Sequence, residues 1–307
     1  MDRYSLGNAS SILIARDWGC NMCSWIVEGD ELMYCPKDYP EAAFKITGGG
    51  NPILFPSVGR TWDRSGPEPV PERYVIEGDD SVYRMPSHGI VFQSKWSRIE
   101  QEVTSEKVTA LYELHVPDAV REECYPFDVS LRQQFVLRRD CVELKAEITN
   151  VGSVPAPVAF GYHPYFRISN PSREGVEVRL PITKEVILTK DTILPTGDVQ
   201  PADGCIRLQP DVYYDASYEG ITDRRMSLID RNAGRIIHVE FDSNCEGLVL
   251  YSPDGSEFIC IEPWTRGLGA YERLRNPGWE TGEYIPVLQP GQQMHFRSRF
   301  SVERCAP

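Results

Sequence analysis

Residues 142–148 read VELKAEI, and every second residue of this stretch, from Val142 to Ile148, is apolar. Successive side chains of a β-strand point to opposite faces, so the pattern predicts a strand with one buried and one exposed face. The same alternation recurs at 176–180, 237–241 and 294–300. Repeated half-buried strands of this kind are typical of antiparallel sheets.

Turn-forming sequences separate these stretches. The chain contains 24 Gly and 24 Pro, and many of them fall in short segments that favour tight turns. The clearest segments are GGGNP at 48–52, DRSGPEP at 63–69, SNPSREG at 169–175, SPDGS at 252–256, RNPG at 275–278 and LQPGQ at 288–292. No long segment keeps a helical period of apolar residues, and DAVREEC at 118–124 is predicted to form one or two helical turns at most.

The chain also lacks a linker, a repeat or a low-complexity tract that would divide it into modules. Length and composition, with 307 residues of which 41% are hydrophobic, allow one large core. The sequence therefore predicts an all-β protein in which residues 1–307 form a single antiparallel sandwich. A sheet pair of this size can leave one broad concave face as a polar cleft, where a carbohydrate would fit.

Charge and the N-terminal segment restrict the partners. With 32 Lys plus Arg against 45 Asp plus Glu, the net charge is -13, which would repel a phosphate backbone, so nucleic acid is not expected to bind. The N-terminal region holds only the short apolar run SILIA, which cannot form a signal-peptide core or a membrane span. We expect a cytoplasmic protein without a membrane partner. A monomer and a homodimer both remain open.

Nine cysteines are spread over the whole chain, an odd number. A chain of this length can stabilise itself by core burial, so most of the cysteines are expected to be reduced, buried thiols. Cys20 and Cys23 form a C-x-x-C pair, but a zinc site needs a second pair of ligands and only the isolated Cys35 follows nearby. No metal site is predicted from this motif.

Five histidines occur, and their surroundings differ. His238 and His295 lie opposite apolar neighbours on predicted strands, and His115 lies near a strand end, so all three are expected to be solvated. His163, in AFGYHPYFRI, precedes a proline that favours an extended backbone and ends regular strand pairing. His88, between a proline and a glycine in MPSHGIVF, is predicted to occupy a turn that enters a strand continuing to Trp96. His163 could be a packed core residue or an acid, and His88 could contact a ligand.

Two acidic residues are candidates for chemistry. Glu262 follows the apolar run from Phe258 to Ile261, so its carboxylate is predicted to lie at the end of a buried strand, where partial desolvation would raise its pKa toward that of a working base. Asp215, in DVYYDASYEG, is less distinctive and alone would be interpreted as a turn residue.

Taken together and in order, these segments resemble the aldose 1-epimerase family, the galactose mutarotases. The two most specific segments are GYHPYF at 161–166 and LVLYSPDGSEFICIEPWT at 248–265. Supporting segments cover most of the chain and are GGGNPILFPSVGR at 48–60, PSHGIVFQSKW at 86–96, YPFDVSLRQQFVL at 125–137, NVGSVPAPVAF at 150–160, LPTGDV at 194–199 and YYDASY at 213–218. The resemblance implies a large antiparallel β-supersandwich with the sugar bound in its concave face.

The resemblance also implies roles for five residues. The glutamate of the family's E-P-x-T segment corresponds to Glu262 as general base, and the histidine of the H-P-Y-F segment to His163 as general acid. His88 matches the family's second histidine, which would hydrogen-bond the ring oxygen or a neighbouring hydroxyl. Asp215 and Arg60 match residues that bind sugar hydroxyls, with Tyr218 in place of the family's aromatic residue after the aspartate.

These residue types also suit the chemistry on physical grounds. Opening a pyranose ring requires removal of the proton from the anomeric hydroxyl and delivery of a proton to the ring oxygen. A carboxylate and an imidazolium can do both, and rotation about the C1–C2 bond before closure gives the other anomer. No metal, cofactor or covalent intermediate is required. The chain accordingly contains no dinucleotide fingerprint, no P-loop and no G-x-S-x-G elbow.

One departure from the family bears on the substrate. The branch that acts on hexose 6-phosphates often reads H-G-F-A-R after the first histidine, whereas this chain reads HGIVF with Phe92 in place of the arginine. Free galactose or glucose is therefore the expected substrate and a hexose 6-phosphate the alternative. Arginines near the motifs that could still bind phosphate are Arg60, Arg64, Arg84, Arg98 and Arg167.

Two other classes of function remain open at the level of sequence. A non-catalytic sugar-binding protein could use the same cleft, since fold does not fix activity. A lyase or glycoside hydrolase would place two carboxylates around the scissile bond, whereas the matched pair here is one carboxylate and one imidazole.

Overall fold

A computed structural model describes residues 1–7, 11–36 and 48–305 of the chain. Its strands are, in chain order, β1 Asp2–Leu6, β2 Ser11–Ala15, β3 Met22–Val27, β4 Asp30–Glu31, β5 Ile53–Leu54, β6 Trp62–Asp63, β7 Val70–Pro71, β8 Arg73–Tyr74, β9 Tyr83–Arg84, β10 Ser97–Val103, β11 Val108–His115, β12 Val129–Leu137, β13 Cys141–Asn150, β14 Ala156–Pro157, β15 Gly161–Tyr162, β16 Tyr165–Arg167, β17 Val176–Arg179, β18 Lys184–Leu188, β19 Pro195–Pro201, β20 Cys205–Arg207, β21 Tyr214–Glu219, β22 Arg225–Asp230, β23 Arg235–Phe241, β24 Gly247–Ser252, β25 Phe258–Trp264, β26 Val287–Leu288 and β27 Gln293–Arg304. Helix α1 spans Asp118–Cys124, and short 3₁₀ helices span Val91–Gln93, Ala270–Arg273 and Trp279–Thr281.

Two large antiparallel sheets dominate the architecture. The first has nine strands in the order β10-β11-β12-β13-β27-β23-β22-β17-β20. The second has eight strands, of which seven follow the order β19-β18-β21-β24-β25-β15-β5 while β16 pairs with β25. A four-stranded sheet made of β1 to β4 lies beside them in the sequence order β1-β2-β3-β4.

Aromatic side chains join the two large sheets. Tyr162 on β15 packs edge-on against Phe296 on β27, with ring centroids 5.7 Å apart, and its hydroxyl donates to Gln133 Oε1 at 2.8 Å. Phe166 on β16 meets Phe300 on β27 at 5.3 Å. These residues alternate with side chains that point to the other face of the eight-stranded sheet, so that face is left for a cleft.

The predicted all-β class and β-supersandwich are confirmed. The alternating residues 142–148 lie within β13, and its apolar positions from Val142 to Ile148 are buried while the intervening side chains are partly exposed. The short helix at 118–124 is also confirmed as α1. That residues 1–307 form a single domain stays a prediction.

The remaining expectations concern cysteines and membranes. All nine cysteines are free thiols, and six of them are buried, as expected from the composition. Within the described parts of the chain, no helix combines the length and the apolarity needed to cross a membrane. The cytoplasmic location and the oligomeric state stay predictions.

Candidate active site

The outer face of the eight-stranded sheet forms the floor of a cleft of about 550 Å³. Strand alternation on β25 turns Glu262 and Trp264 toward this cleft, while the buried Ile259 and Ile261 belong to the opposite face of the strand. Glu262 lies opposite Val249 on β24, and Val249 lies opposite Ser217 on β21. Three adjacent strands therefore present one row of side chains to the cleft.

Glu262 is completely buried and held by one hydrogen bond. The indole Nε1 of Trp264 donates to Oε2 at 3.1 Å, while Oε1 has no hydrogen-bond partner among the described residues. The indole fits there because its neighbour across the strands is Gly161, where a Cβ would lie 2.5 Å from the Trp264 ring. The carboxyl group is thus oriented by Trp264 with one oxygen left for a ligand.

His163 follows β15 directly, and its ring lies against that free oxygen. Its backbone N–H donates to the carbonyl of Pro52 at 3.1 Å, and its ring stacks on Tyr165 with centroids 4.7 Å apart and planes 7° apart. Nε2 lies 3.4 Å from Glu262 Oε1, and Nδ1 is buried without a partner in the part of the chain that the structure describes. The side chain is 6% exposed. The proline after His163 thus ends the strand as predicted and leaves the imidazole at the cleft floor.

Burial shifts the pKa values of this pair in opposite directions. Loss of solvent, with the nearby Asp215 charge as a second cause, raises the pKa of Glu262 well above its ordinary value. Burial, followed by the proximity of His88, lowers the pKa of His163 well below the ordinary value. Over the pH range between these two values the pair holds one titratable proton, and both shifts favour its position on the Glu262 carboxyl.

His88 is fixed by two bonds to one neighbouring loop residue. Its backbone N–H donates to the carbonyl of Gly59 at 2.8 Å, and the N–H of Gly59 donates to His88 Nδ1 at 3.2 Å. Since Nδ1 accepts a bond, the proton of the neutral ring lies on Nε2. Burial, with a smaller effect from Arg60, lowers the pKa of His88 to about 4. His88 is therefore a neutral hydrogen-bond donor.

The rings of His88, His163 and Trp264 form one corner of the cleft. The His88 ring lies 5.5 Å from that of His163 and 5.6 Å from that of Trp264, both in edge-on contacts. His88 has a positive φ of 66°, which is uncommon outside glycine, and backbone strain of this kind often occurs at ligand sites. The structure therefore brings His88 to the predicted acid and base.

Asp215 and Arg60 are exposed residues that line the mouth of the cleft, and their binding of sugar hydroxyls stays a prediction. Partial desolvation raises the pKa of Asp215, and the positive charge of Arg60 opposes that shift. The interpretation of Asp215 as a turn residue is wrong, because it lies on β21 opposite Tyr251, and alternation directs it to the same face as Ser217.

Two of the five arginines that could bind phosphate line the cleft, Arg60 and Arg84. Arg84 already forms an ion pair with Glu72 at 2.9 Å. The other three are engaged elsewhere: Arg64 with Glu272, Arg98 with Asp2, and Arg167 with Glu257. Phe92, which replaces the family's arginine, also lines the cleft.

The predicted strand entry after His88 is wrong. Val91–Gln93 forms a 3₁₀ helix, and the next strand, β10, begins only at Ser97. The reason is the fixed turn at 88–90, in which the N–H of Ile90 donates to the carbonyl of Phe55 and bends the chain across β5. His115, His238 and His295 lie on the nine-stranded sheet, and none of them lines the cleft.

Sequence reasoning missed two residues that line the cleft, Trp264 and Tyr251, and the buried Cys260 next to them. Trp264 and Cys260 are each two residues from Glu262 on the same strand, so period-two alternation predicts a shared face and was a usable signal. Tyr251 is brought beside them by the register of β24 and β25, which pairs it with Cys260. A sulfur, nitrogen and oxygen from Cys260, His163 and Glu262 lie within 4.8 Å of one another, a set that could hold a metal ion.

Comparison with known proteins supports the same assignment of fold. A protein-family model described as aldose 1-epimerase matches residues 2–301. A solved structure from Synechocystis sp. is 24% identical, with a TM-score of 0.81 over 99% of this chain and 96% of that protein. A galactose mutarotase-like protein from Clostridium acetobutylicum is 18% identical, with a TM-score of 0.81 over 98% and 94%. At such low identities these likenesses show the fold. No curated protein matches the chain.

Proposed function

Because the chain belongs to the aldose 1-epimerase family, we propose that it interconverts the α and β anomers of a free hexose such as galactose or glucose. In this proposal Glu262 is the general base and His163 the general acid. His88, Asp215 and Arg60 hold the sugar by its ring oxygen and hydroxyl groups.

The observation that carries the proposal is the distance of 3.4 Å between Glu262 Oε1 and His163 Nε2 at the buried floor of the cleft. Mutarotation moves protons at two oxygens, O1 and O5, that share one carbon atom. Two groups this close together can each reach one of these oxygens. Retaining and inverting glycosidases instead separate two carboxyl groups by about 5–5.5 Å or 6.5–9.5 Å, so the spacing favours ring opening over glycosidic cleavage.

The single proton of the pair suits both directions of the reaction. In the empty cleft, burial favours a neutral carboxyl and a neutral imidazole. The carboxylate–imidazolium form contains the same number of protons, and hydrogen bonds from bound sugar hydroxyls favour it. Glu262 then takes the O1 proton while His163 gives a proton to O5, and the two residues exchange roles when the ring closes on its other face.

The cleft charges favour a neutral sugar over a sugar phosphate. Arg84 is neutralised by Glu72, and Arg60 shares the mouth of the cleft with Asp215. The two arginines of the cleft are thus balanced by Glu72 and Asp215, which leaves no excess positive charge for a phosphate group. Sugar hydroxyls can use both kinds of group, since they donate to carboxylates and accept from guanidinium.

We expect the pH profile to show the buried character of the pair. Lowering the pH adds a second proton to the pair, and because the pKa of His163 is depressed below 6.5, activity should persist well below that pH. Protonation of His88, with its pKa near 4, would contribute to the same acid limb. Raising the pH removes the one proton of the pair. Because the pKa of Glu262 is raised, the basic limb of the profile is expected to lie at higher pH than for an ordinary carboxyl group.

The measurement is kcat/KM as a function of pH, because this ratio reports the pKa values of the free enzyme. The buffer contains a chelator, and the rate of uncatalysed mutarotation is subtracted at each pH. A limb centred near 6.5, the ordinary value for histidine, would mean that His163 titrates as a solvated imidazole and would contradict the description of the pair.

The proposed activity is tested by polarimetry of freshly dissolved α-D-glucose and α-D-galactose with and without the protein. Glucose 6-phosphate is compared in an anomer-specific coupled assay, and a Glu262→Gln preparation controls for contaminating mutarotase. We expect faster equilibration of at least one free hexose. Faster equilibration of glucose 6-phosphate alone would contradict the proposal of a free hexose as substrate. Sugar binding without faster equilibration of any sugar would favour a sugar-binding protein.

A further inference from the structure

Cys260 is a buried residue beside Glu262 that the proposed reaction does not use. It lies two residues before Glu262 on β25, opposite Tyr251 on β24 and Tyr165 on β16. Its side chain is completely buried. Because alternate residues of a strand share a face, its thiol lies beneath the same floor that carries the Glu262 carboxyl.

The thiol, the imidazole and the carboxyl are spaced almost as metal ligands. One ligand atom from each of Cys260, His163 and Glu262 lies within 4.8 Å of the other two. With zinc–ligand bonds of about 2.0–2.3 Å, tetrahedral ligand atoms are about 3.3–3.8 Å apart. The His163 and Glu262 atoms already meet this spacing at 3.4 Å. The Cys260 sulfur, at most 4.8 Å from the other two atoms, would need to move toward them by on the order of 1 Å to complete the set.

An unpartnered polar atom indicates that the cluster accepts a ligand. Glu262 Oε1, which lies 3.4 Å from His163 Nε2, is buried and has no hydrogen-bond partner among the residues described. A buried polar atom normally has a partner, so this exception calls for an explanation. A sugar hydroxyl would satisfy the carboxyl oxygen, and so would a cation, whereas a sugar does not explain a thiol at the same point.

We propose that Cys260, His163 and Glu262 bind a borderline-soft divalent cation of the zinc type, and that the bound ion excludes the sugar. Thiolate, imidazole and carboxylate are the three ligand types that zinc selects. On binding, the Cys260 thiol and the neutral Glu262 carboxyl each release one proton to solvent. Metal–sulfur and metal–oxygen bonds form, the neutral His163 imidazole binds through Nε2, and the ion stays divalent. The fourth position faces the cleft and is taken by water.

Binding of the ion is independent of the proposed function, whereas inhibition rests on it. The ion would occupy Glu262 Oε1, which the reaction needs free, and its water would lie where O1 and O5 must bind. Sugar and metal are therefore competitive. The expected behaviour is reversible inhibition by zinc that rises as the sugar concentration falls.

Binding is tested with Co²⁺ as a spectroscopic probe on the apo protein. We expect one equivalent of Co²⁺ to give a thiolate-to-cobalt charge-transfer band and the visible absorption of a tetrahedral site. Both signals should be lost in Cys260→Ala and Cys260→Ser, and zinc should displace the cobalt. Cys245→Ala, a buried thiol outside the cluster, is the matched control and should keep both signals. A charge-transfer band that survives in the Cys260 variants would overturn the proposal. So would a band that disappears in Cys35→Ser, because cobalt would then be bound by a free cysteine outside the cluster.

Inhibition is tested separately by polarimetry. Wild-type activity should fall with added zinc and return with chelator. Cys260→Ala should keep wild-type activity and need at least about 100-fold more zinc, since even the loss of a hydrogen-bond partner of a metal ligand costs about 10- to 100-fold in affinity. Equal zinc sensitivity in both proteins would overturn the site. A cobalt band in a protein without mutarotase activity would instead leave the metal site in place and remove the proposed function.

Discussion

Glu262→Gln is expected to lower kcat for mutarotation by about 10³-fold, within the 10²- to 10⁴-fold range of a positioned general base. The amide has the shape of the carboxyl group, and its oxygen can still accept the Trp264 N–H that now reaches Oε2. It cannot take the O1 proton and return it. Sugar affinity should change little because the contacts of His88, Asp215 and Arg60 remain. The measurements are kcat by polarimetry and the dissociation constant by intrinsic tryptophan fluorescence.

Glu257→Gln is the matched control for this variant. Glu257 immediately precedes β25, is 59% exposed, and meets Arg167 only at 3.9 Å, so its replacement should leave kcat and unfolding free energy unchanged. A Glu262→Gln protein with a near wild-type rate would remove Glu262 from the role of base. A parallel loss of sugar binding would show that the carboxyl group mainly holds the substrate.

The strands of the core could be predicted from the sequence because their pattern is local. The alternation from Val142 to Ile148 needs no knowledge of the partner strand, and the structure places it in β13. The path after His88 could not be predicted in this way. Its apolar residues were interpreted as a strand, yet bonds from this turn to Phe55 bend the chain into a 3₁₀ helix. A tertiary contact there overrides the local pattern.

In the candidate site, too, the local sequence predicts some features and tertiary contacts determine the others. Glu262 and His163 could be singled out from their segments, but the distance between them depends on how β15 and β16 pair with β25. The tautomer of His88 likewise depends on Gly59, which is remote in sequence. Cys260 and Trp264 could have been placed beside Glu262 by alternation alone. What the alternation does not reveal is that their neighbours across the strands leave Glu262 Oε1 without a partner.

Gly89→Ala is expected to cost at least about 4 kcal/mol of unfolding free energy, a loss large enough to be exceptional for one methyl group. Gly89 has a φ of +86°, and a Cβ there would overlap the backbone carbonyl of Phe55. A backbone neighbour cannot rotate away as a side chain can. Because Gly89 adjoins His88, the same change should displace the imidazole and lower kcat/KM in whatever protein still folds.

Gly78→Ala separates this overlap from the general cost of a left-handed residue. Gly78 has a similar φ of +75°, but a Cβ there would meet nothing within 4 Å. Its replacement should cost only about 1–2 kcal/mol, the penalty for placing an L residue in that region. Urea denaturation of both variants measures the difference. Equal losses of unfolding free energy in the two variants would mean that the close approach to Phe55 is not the reason for glycine at position 89. The position of His88 would then need another explanation.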